Sequence, residues 1–358
     1  MNATRTFRRL LLLLSLTIIP LRTETASAAD SADVYREVLE GSKLTPAAAQ
    51  QLEATLQQTP DDLPTRTRLL GYYLRKQYAS APDRAARQQH ILWIIQHHPD
   101  APIAGIPHGE LDPVLDGHVY QDAATLWKLQ VANHPTDPAI LHNAAKYFLL
   151  HDRPIAEDLF KKGATLEPNN PDWPAALGEL YNLESRYQPQ PGKKQQAAAA
   201  LNQYERAFAL TTNATNKFYL LDDLATTAFD AGDTNKAATY AQQALNAAAT
   251  FGEKDWNTGN AIHHGNLILG RIALQAGDIE LAKHYLLEAG KTPGSPQLNS
   301  FGPNMALARE LLVKGQKDVV LQYFALCAKF WKSQPELDAW TDAVKHGLIP
   351  DFGGNLIY

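Results

Sequence analysis

The chain contains 358 residues with a formal net charge of −5, and 45% of its residues are hydrophobic while 20% are charged. This is the composition of a globular protein, so a disordered or fibrous chain is excluded. Because Cys327 is the single cysteine, an intramolecular disulfide and a thiolate metal cluster are also excluded. The acidic balance argues against a general nucleic-acid binder, which normally carries a basic stripe.

The first predicted element is an export signal. Three arginines within the first nine residues precede a short apolar run from Leu10 to Ile19, and small residues follow at Ala26-Ser27-Ala28. This is the order of a secretory signal peptide. The apolar run is short for a membrane span, which needs about 20 residues. We expect residues 1–28 to be removed, leaving a periplasmic or secreted protein with no stable membrane span. An uncleaved N-terminal anchor is the alternative.

Residues 29–135 predict divergent helical repeats, because helical patterns are frequent and strand patterns are scarce. A Thr-Pro start and a closing proline predict a helix over 45–60. The pattern of 63–99 is typical of a helical hairpin, and 120–135 resembles the second helix of another. The segment 100–118 departs from the pattern because it is rich in proline and glycine.

Residues 136–331 repeat a pattern of small residues around a glycine turn. The turn at Gly277-Asp278 is followed by small and apolar residues at the same offsets as those after Gly232-Asp233 and Gly315-Gln316. Small residues let two helices of a hairpin approach closely. A proline ends a second helix because it has no amide proton and restricts the residue before it.

These units resemble tetratricopeptide repeats (TPRs). The family has Leu-Gly and Tyr on the first helix, as in Leu177-Gly178 with Tyr181, and Pro at the end of the unit, as in Pro168. The resemblance implies an all-α solenoid of stacked antiparallel helix pairs, in which each pair needs its neighbours to bury its apolar face. Residues 332–358 are expected to form a capping helix and a tail docked on the array.

A polar stretch, 257–309, supplies the candidate ligand-binding residues. In TPRs some first-helix positions face the inner groove, and the alignment places Arg271 and Arg309 there. Each follows an asparagine by five residues. The pair resembles a carboxylate clamp, since arginine forks fit a carboxylate. The candidate residues are His263, His264, Asn266, Arg271, Asn304 and Arg309.

Two features of this stretch leave alternatives open. The asparagines do not occupy the asparagine positions of the clamp. The alternative to ligand binding is that both arginines pair with acidic residues of the groove itself. The candidates for these acids are Asp222, Asp223 and Glu179.

The leading function is a non-enzymatic scaffold that binds a protein or peptide outside the cytoplasm. The alternatives are a small-molecule-binding protein or enzyme with a pocket in 257–309, and a structural component of an envelope assembly. The sequence has no Gly-x-Ser-x-Gly motif, no phosphate-binding loop and no metal-ligand spacing among its histidines. We therefore expect no catalytic residues, no cofactor, no metal and no nucleic-acid partner.

N-terminal sequencing of the exported protein is expected to return a chain that begins near Ala29. The basic start, apolar core and small residues before this position define the expected cleavage site. An exported protein whose first residue is Met1 would contradict this prediction.

Overall fold

In the computed structural model the described residues are 28–357, with side chains described from Asp33 onward. Within this range the chain forms 17 α-helices and three short 3-10 segments, and no strand occurs among these residues. The prediction of an all-α protein is therefore confirmed. The predicted signal peptide, apart from its last residue, lies outside the described range. In the described part, no helix is both long and apolar enough to cross a membrane.

The described residues fall into two compact units, which we call the N-terminal unit (28–180) and the C-terminal unit (181–357). The boundary lies inside a helix, whereas the sequence pattern changes near residue 135. The helices that begin in the N-terminal unit are α1 (Ala28–Gly41), α2 (Pro46–Gln58), α3 (Leu63–Lys76), α4 (Ala81–His97), α5 (His118–Asn133), α6 (Pro138–Phe148), α7 (Arg153–Leu166) and α8 (Asp172–Tyr187).

The start of α2 is set by local capping. The Thr45 hydroxyl accepts a hydrogen bond from the Ala48 amide at 3.2 Å, and Pro46 occupies the first turn of α2. The hydroxyl satisfies a first-turn amide that has no acceptor within the helix. Proline is tolerated in the first turn because the N–H that it lacks would be unpaired there. Between α4 and α5, two 3-10 segments, Pro102–Gly105 and Pro107–Gly109, replace the missing first helix.

Helix α1 is absent from the sequence prediction, and it packs closely on α3. A Cβ atom at Gly41 would collide with the carbonyl of Arg68, and one at Gly71 would collide with the carbonyl of Val38. The two backbones therefore approach closely because both glycines lack a side chain.

The helices that begin in the C-terminal unit follow in order. They are α9 (Gly192–Leu210), α10 (Ala214–Ala231), α11 (Thr234–Phe251), α12 (Thr258–Gln275), α13 (Ile279–Gly290), α14 (Pro296–Phe301), α15 (Ala306–Val313), α16 (Lys317–Cys327) and α17 (Gln334–Lys345). From α9 to α13, each helix packs on the next, and α13 packs on both α15 and α16.

The repeated glycines lie where the chain reverses between two helices of a pair. Gly232, Gly277 and Gly315 have φ angles of 83°, 86° and 76° and separate α10 from α11, α12 from α13, and α15 from α16. Only glycine adopts this left-handed conformation without a steric cost. The period seen in the sequence therefore marks the turns of three successive helix pairs.

The tail, residues 348–357, packs on the end of the C-terminal unit. Phe352 is 2% exposed, with its ring centroid 5.0 Å from that of Trp340 and 6.2 Å from that of Phe324. The Asn355 carbonyl accepts a hydrogen bond from the Met305 amide at 2.7 Å. The Asn355 side chain donates to the carbonyls of residues 301 and 303. The tail thus holds the segment that leads into α15.

Replacement of Gly270 by leucine is expected to destabilise the C-terminal unit. A Cβ atom at Gly270 would collide with the Leu307 side chain of α15 and lie 3.1 Å from Cβ of Tyr285 of α13. Overpacking of this kind costs about 1–3 kcal/mol. Urea unfolding of G270L measures the loss.

Gly192→Leu is the matched control, because a Cβ there has only a flexible glutamine side chain as near neighbour, at 3.4 Å. A G270L protein as stable as the wild type would show that the assigned contact between α12 and α15 is wrong.

Candidate functional site

Charged side chains join the first helices of successive pairs in the C-terminal unit. Helices α10, α12 and α15 are those first helices, and α12 contacts both others. Asp222 of α10 lies 2.6 Å from His264 of α12, and Arg271 of α12 lies 2.8 Å from Glu310 of α15. We call these four residues the first-helix row. All four side chains are partly exposed, so they are available to a ligand as well as to each other.

His264 forms the first of these pairs, with Asp222. Burial by itself lowers its pKa, but the Asp222 carboxylate at 2.6 Å more than offsets this effect, and the pKa is raised. A carboxylate this close favours the protonated ring. The hydrogen bond between His264 and Asp222 ties α12 to α10, and protonation of the ring strengthens it.

Arg271 is satisfied by its own neighbours. Its Nε and one terminal nitrogen donate to the same Glu310 oxygen at 2.9 and 2.8 Å, and the guanidinium lies 4.3 Å from the centre of the Phe229 ring. The sequence left open that acids of the groove neutralise this arginine. The structure assigns that role to Glu310, a residue outside the three candidates named for it.

His263 lies inside the C-terminal unit. It is fully buried, its Nε2 accepts a hydrogen bond from the Asn304 amide at 3.0 Å, and its Nδ1 donates to the Ala289 carbonyl at 3.1 Å. Burial, reinforced by the neighbouring His264, lowers its pKa to about 3. His263 is therefore a neutral connector between α12, the end of α13 and the start of α15.

The two candidate asparagines bond to nearby backbone. The Asn266 side chain donates to the Ile262 carbonyl of its own helix at 2.7 Å. The Asn304 side-chain oxygen accepts a hydrogen bond from the Ala306 amide at 2.8 Å. The Asn304 backbone carbonyl accepts one from the Tyr323 hydroxyl at 2.9 Å. Asn304 thus organises the start of α15.

Arg309 occupies a different environment from Arg271. It is exposed, and it forms no ion pair within the described part of the chain. It borders an open cleft of about 420 Å³ between α15 and the tail. The other residues that line this cleft are Ile349, Pro350, Asp351, Phe352 and Leu356. An unpaired guanidinium beside Ile349, Phe352 and Leu356 can donate hydrogen bonds to a carboxylate attached to an apolar group, although Asp351 also lines the cleft.

Sequence reasoning missed Glu310 as a partner and the tail as a wall of the cleft. The separations carry a signal: His264 and Asp222 are 42 residues apart, and Arg271 and Glu310 are 39 apart. Both separations are close to one repeat period, so opposite charges at that spacing indicate contacts between adjacent pairs. Among the described residues, no three His, Cys, Asp or Glu side chains are grouped to hold a metal ion.

Comparison with solved structures finds a likeness to the crystal structure of PilW, a "widely conserved type IV pilus biogenesis factor". The two chains have 16% sequence identity and a TM-score of 0.39, over 63% of this chain and 92% of PilW. At this score the likeness assigns neither a family nor a function to the chain. No protein-family model and no curated protein matches the sequence.

Replacement of His263 by glutamine is expected to reduce the acid sensitivity of folding. The unfolded chain binds a proton at the ordinary histidine pKa of about 6.5, whereas the folded chain does so only near pH 3. His263 therefore costs about 1.4 kcal/mol of stability for each pH unit below 6.5. Glutamine keeps an acceptor for Asn304 and a donor for Ala289 without titrating.

Urea unfolding between pH 7 and pH 4.5 tests this expectation. As the pH falls, the free energy of unfolding should decrease less steeply for H263Q than for the wild type. His264, whose pKa is raised, acts in the opposite direction in both proteins. The exposed His346 supplies the control H346Q, which should follow the wild type. If the free energy of unfolding falls as steeply with decreasing pH in H263Q as in the wild type, the prediction is wrong.

Proposed function

We propose that this chain is a divergent, exported TPR-type scaffold that binds a peptide or protein partner and has no catalytic activity of its own. The TPR assignment is supported by the left-handed glycines between the two helices of three successive pairs. The non-enzymatic role is supported by the way the candidate side chains are used. His264, Arg271 and His263 each bond to a different partner.

The observation that carries the proposal is the unpaired Arg309 beside a cleft that is mostly lined by apolar residues. A guanidinium binds a carboxylate through two parallel hydrogen bonds, and Glu310 already occupies the guanidinium of Arg271. Ile349 and Leu356 line the cleft next to Arg309. The ligand we infer is therefore the C-terminal carboxylate of a peptide whose last side chain is apolar.

The compartment in this proposal rests on the order of residues at the N-terminus. A basic start, a short apolar core and small residues at 26–28 are typical of a secretory signal peptide. The partner is accordingly sought among periplasmic or secreted proteins.

The test uses a short fluorescent peptide that ends in leucine, prepared as the free carboxylate and as the amide. Fluorescence polarisation is expected to show that the carboxylate binds the wild-type protein at least about tenfold more tightly, a difference of about 1.4 kcal/mol. Arg309→Ala should abolish the difference with no loss of stability, because Arg309 forms no ion pair in the described part of the chain.

Arg271→Ala is the matched control on the neighbouring first helix. It removes a partly exposed ion pair worth about 0–1 kcal/mol, so it should lower stability slightly and change binding less. Equal affinity for the carboxylate and the amide, or an R309A protein that keeps the preference, would remove Arg309 from the binding site.

A further inference from the structure

The cleft beside Arg309 is lined by a second, opposite charge. Asp351 of the tail borders the same space as Arg309 of α15. Both side chains are exposed, and within the described part of the chain neither forms an ion pair with the other or with a third residue. One cation and one anion therefore face the same cleft, and each is available to a ligand.

The Asp351 carboxylate is held at the wall of the cleft. Its Oδ1 accepts a hydrogen bond from the Gly353 amide at 3.0 Å, which closes a turn that aspartate favours. Between these two residues, Phe352 is 2% exposed and packs on Trp340. The turn and the buried ring give Asp351 a defined position. Its Oδ2 accepts no hydrogen bond from the described residues, so this oxygen is available to a donor.

Arg309 lies on the other wall, which is a helix. Its backbone amide donates to the Met305 carbonyl at 2.9 Å in the first turn of α15. The acid next to it in sequence, Glu310, is engaged by Arg271 of α12. Asp351 is thus an acid that shares the cleft with Arg309 without neutralising it.

The two charges act in opposite directions on a carboxylate ligand. Arg309 attracts the carboxylate, whereas Asp351 repels it. A ligand whose only charge is a carboxylate therefore gains at one wall and loses at the other. A ligand that also carries a cation gains at both walls. The apolar residues Ile349 and Pro350 line the cleft with the two charges and offer packing surface to the rest of the ligand.

We propose that the peptide bound in this cleft carries a lysine or arginine two residues before its apolar C-terminal residue, and that Asp351 recognises this basic side chain. Asp351 is then a specificity-determining residue of the site. The recognition rests on the proposed function, because Arg309 has to hold the terminal carboxylate for the register to be set. A lysine or arginine suits this wall because its aliphatic stem packs on apolar surface while its charge stays in water.

The register follows from the geometry of an extended peptide. Successive side chains point to opposite faces, so the side chain two residues before the last shares the face of the last one. A basic residue at that position faces the cleft, whereas one at the penultimate position faces away from it. Two residues of extended peptide span about 6.6 Å, which is close to about 7.5 Å, the cube root of the cleft volume of about 420 Å³.

Three fluorescent hexapeptides with a free C-terminal carboxylate test this register. The first ends in Lys-Ala-Leu, the second in Ala-Lys-Leu and the third in norleucine-Ala-Leu. The first two have the same composition and net charge, so general attraction to the acidic protein is equal for both.

Fluorescence polarisation at low salt measures their affinities. The first probe is expected to bind the wild-type protein about fivefold more tightly than the second, which is the upper range for an exposed ion pair. The norleucine probe is expected to bind no more tightly than the second, because neither places a cation beside Asp351.

Asp351→Asn removes the charge and keeps an acceptor oxygen for the Gly353 amide, so the turn is retained. The two lysine probes should bind D351N with equal affinity. The norleucine probe should bind D351N more tightly than the wild type, because the repulsion of its carboxylate is gone. Asp342→Asn is the matched control, since Asp342 is an exposed acid of α17 that does not line the cleft. D342N should keep the wild-type difference.

The outcomes separate the role of Asp351 from that of Arg309. Equal affinity of the wild type for the two lysine probes, or a D351N protein that keeps their difference, would show that Asp351 does not recognise a basic residue. A preference for the carboxylate over the amide would then leave the role of Arg309 intact. If the Lys-Ala-Leu probe binds equally well as carboxylate and as amide, the proposed function is wrong and the register is wrong with it. Absence of saturable binding by all three probes would overturn both.

Discussion

Close contact between neighbouring helices is the constraint on which the rest of this structure depends. It is possible because the contact positions carry little or no side chain. Ala156, Ala225, Ala282 and Ala308 are all essentially inaccessible to solvent. At such a distance, long side chains at the edge of the contact reach the next helix. The polar bridges of the first-helix row join neighbouring helices at this distance, so the charged groups are positioned by residues that have no chemistry of their own.

The fold could be predicted from the sequence because its signals are local. A Thr-Pro start defines α2, and a glycine with left-handed backbone defines the reversal in three helix pairs of the C-terminal unit. Helix α1 was missed because its packing depends on glycines that meet backbone carbonyls 27 and 33 residues away. The site was harder to predict because the rotation of each helix decides which side chains face out. His263 and His264 are adjacent in sequence, yet one is fully buried and the other pairs with Asp222.

Pairing between helices explains why Arg309, rather than Arg271, emerges as the binding candidate. Arg271 and Lys146 are basic residues on first helices, and each is neutralised by a glutamate of the next first helix, Glu310 or Glu179. On the first helices that carry Arg271 and Arg309, only Arg271 is paired in the described part of the chain, which leaves Arg309 free to bind a ligand. Charge left over after such pairing is a more selective guide to a binding site than the abundance of charge along the chain.

The hydrogen bond from the Met305 amide to the Asn355 carbonyl makes this amide a reporter of the tail. Its hydrogen is protected from exchange with solvent only while the tail is docked, whereas the amides within α15 are protected by the helix. The difference between their exchange rates measures the free energy of local opening separately from that of global unfolding. A molecule seated in the cleft holds both walls together, so it would slow exchange at this one position before it affects the rest of the chain.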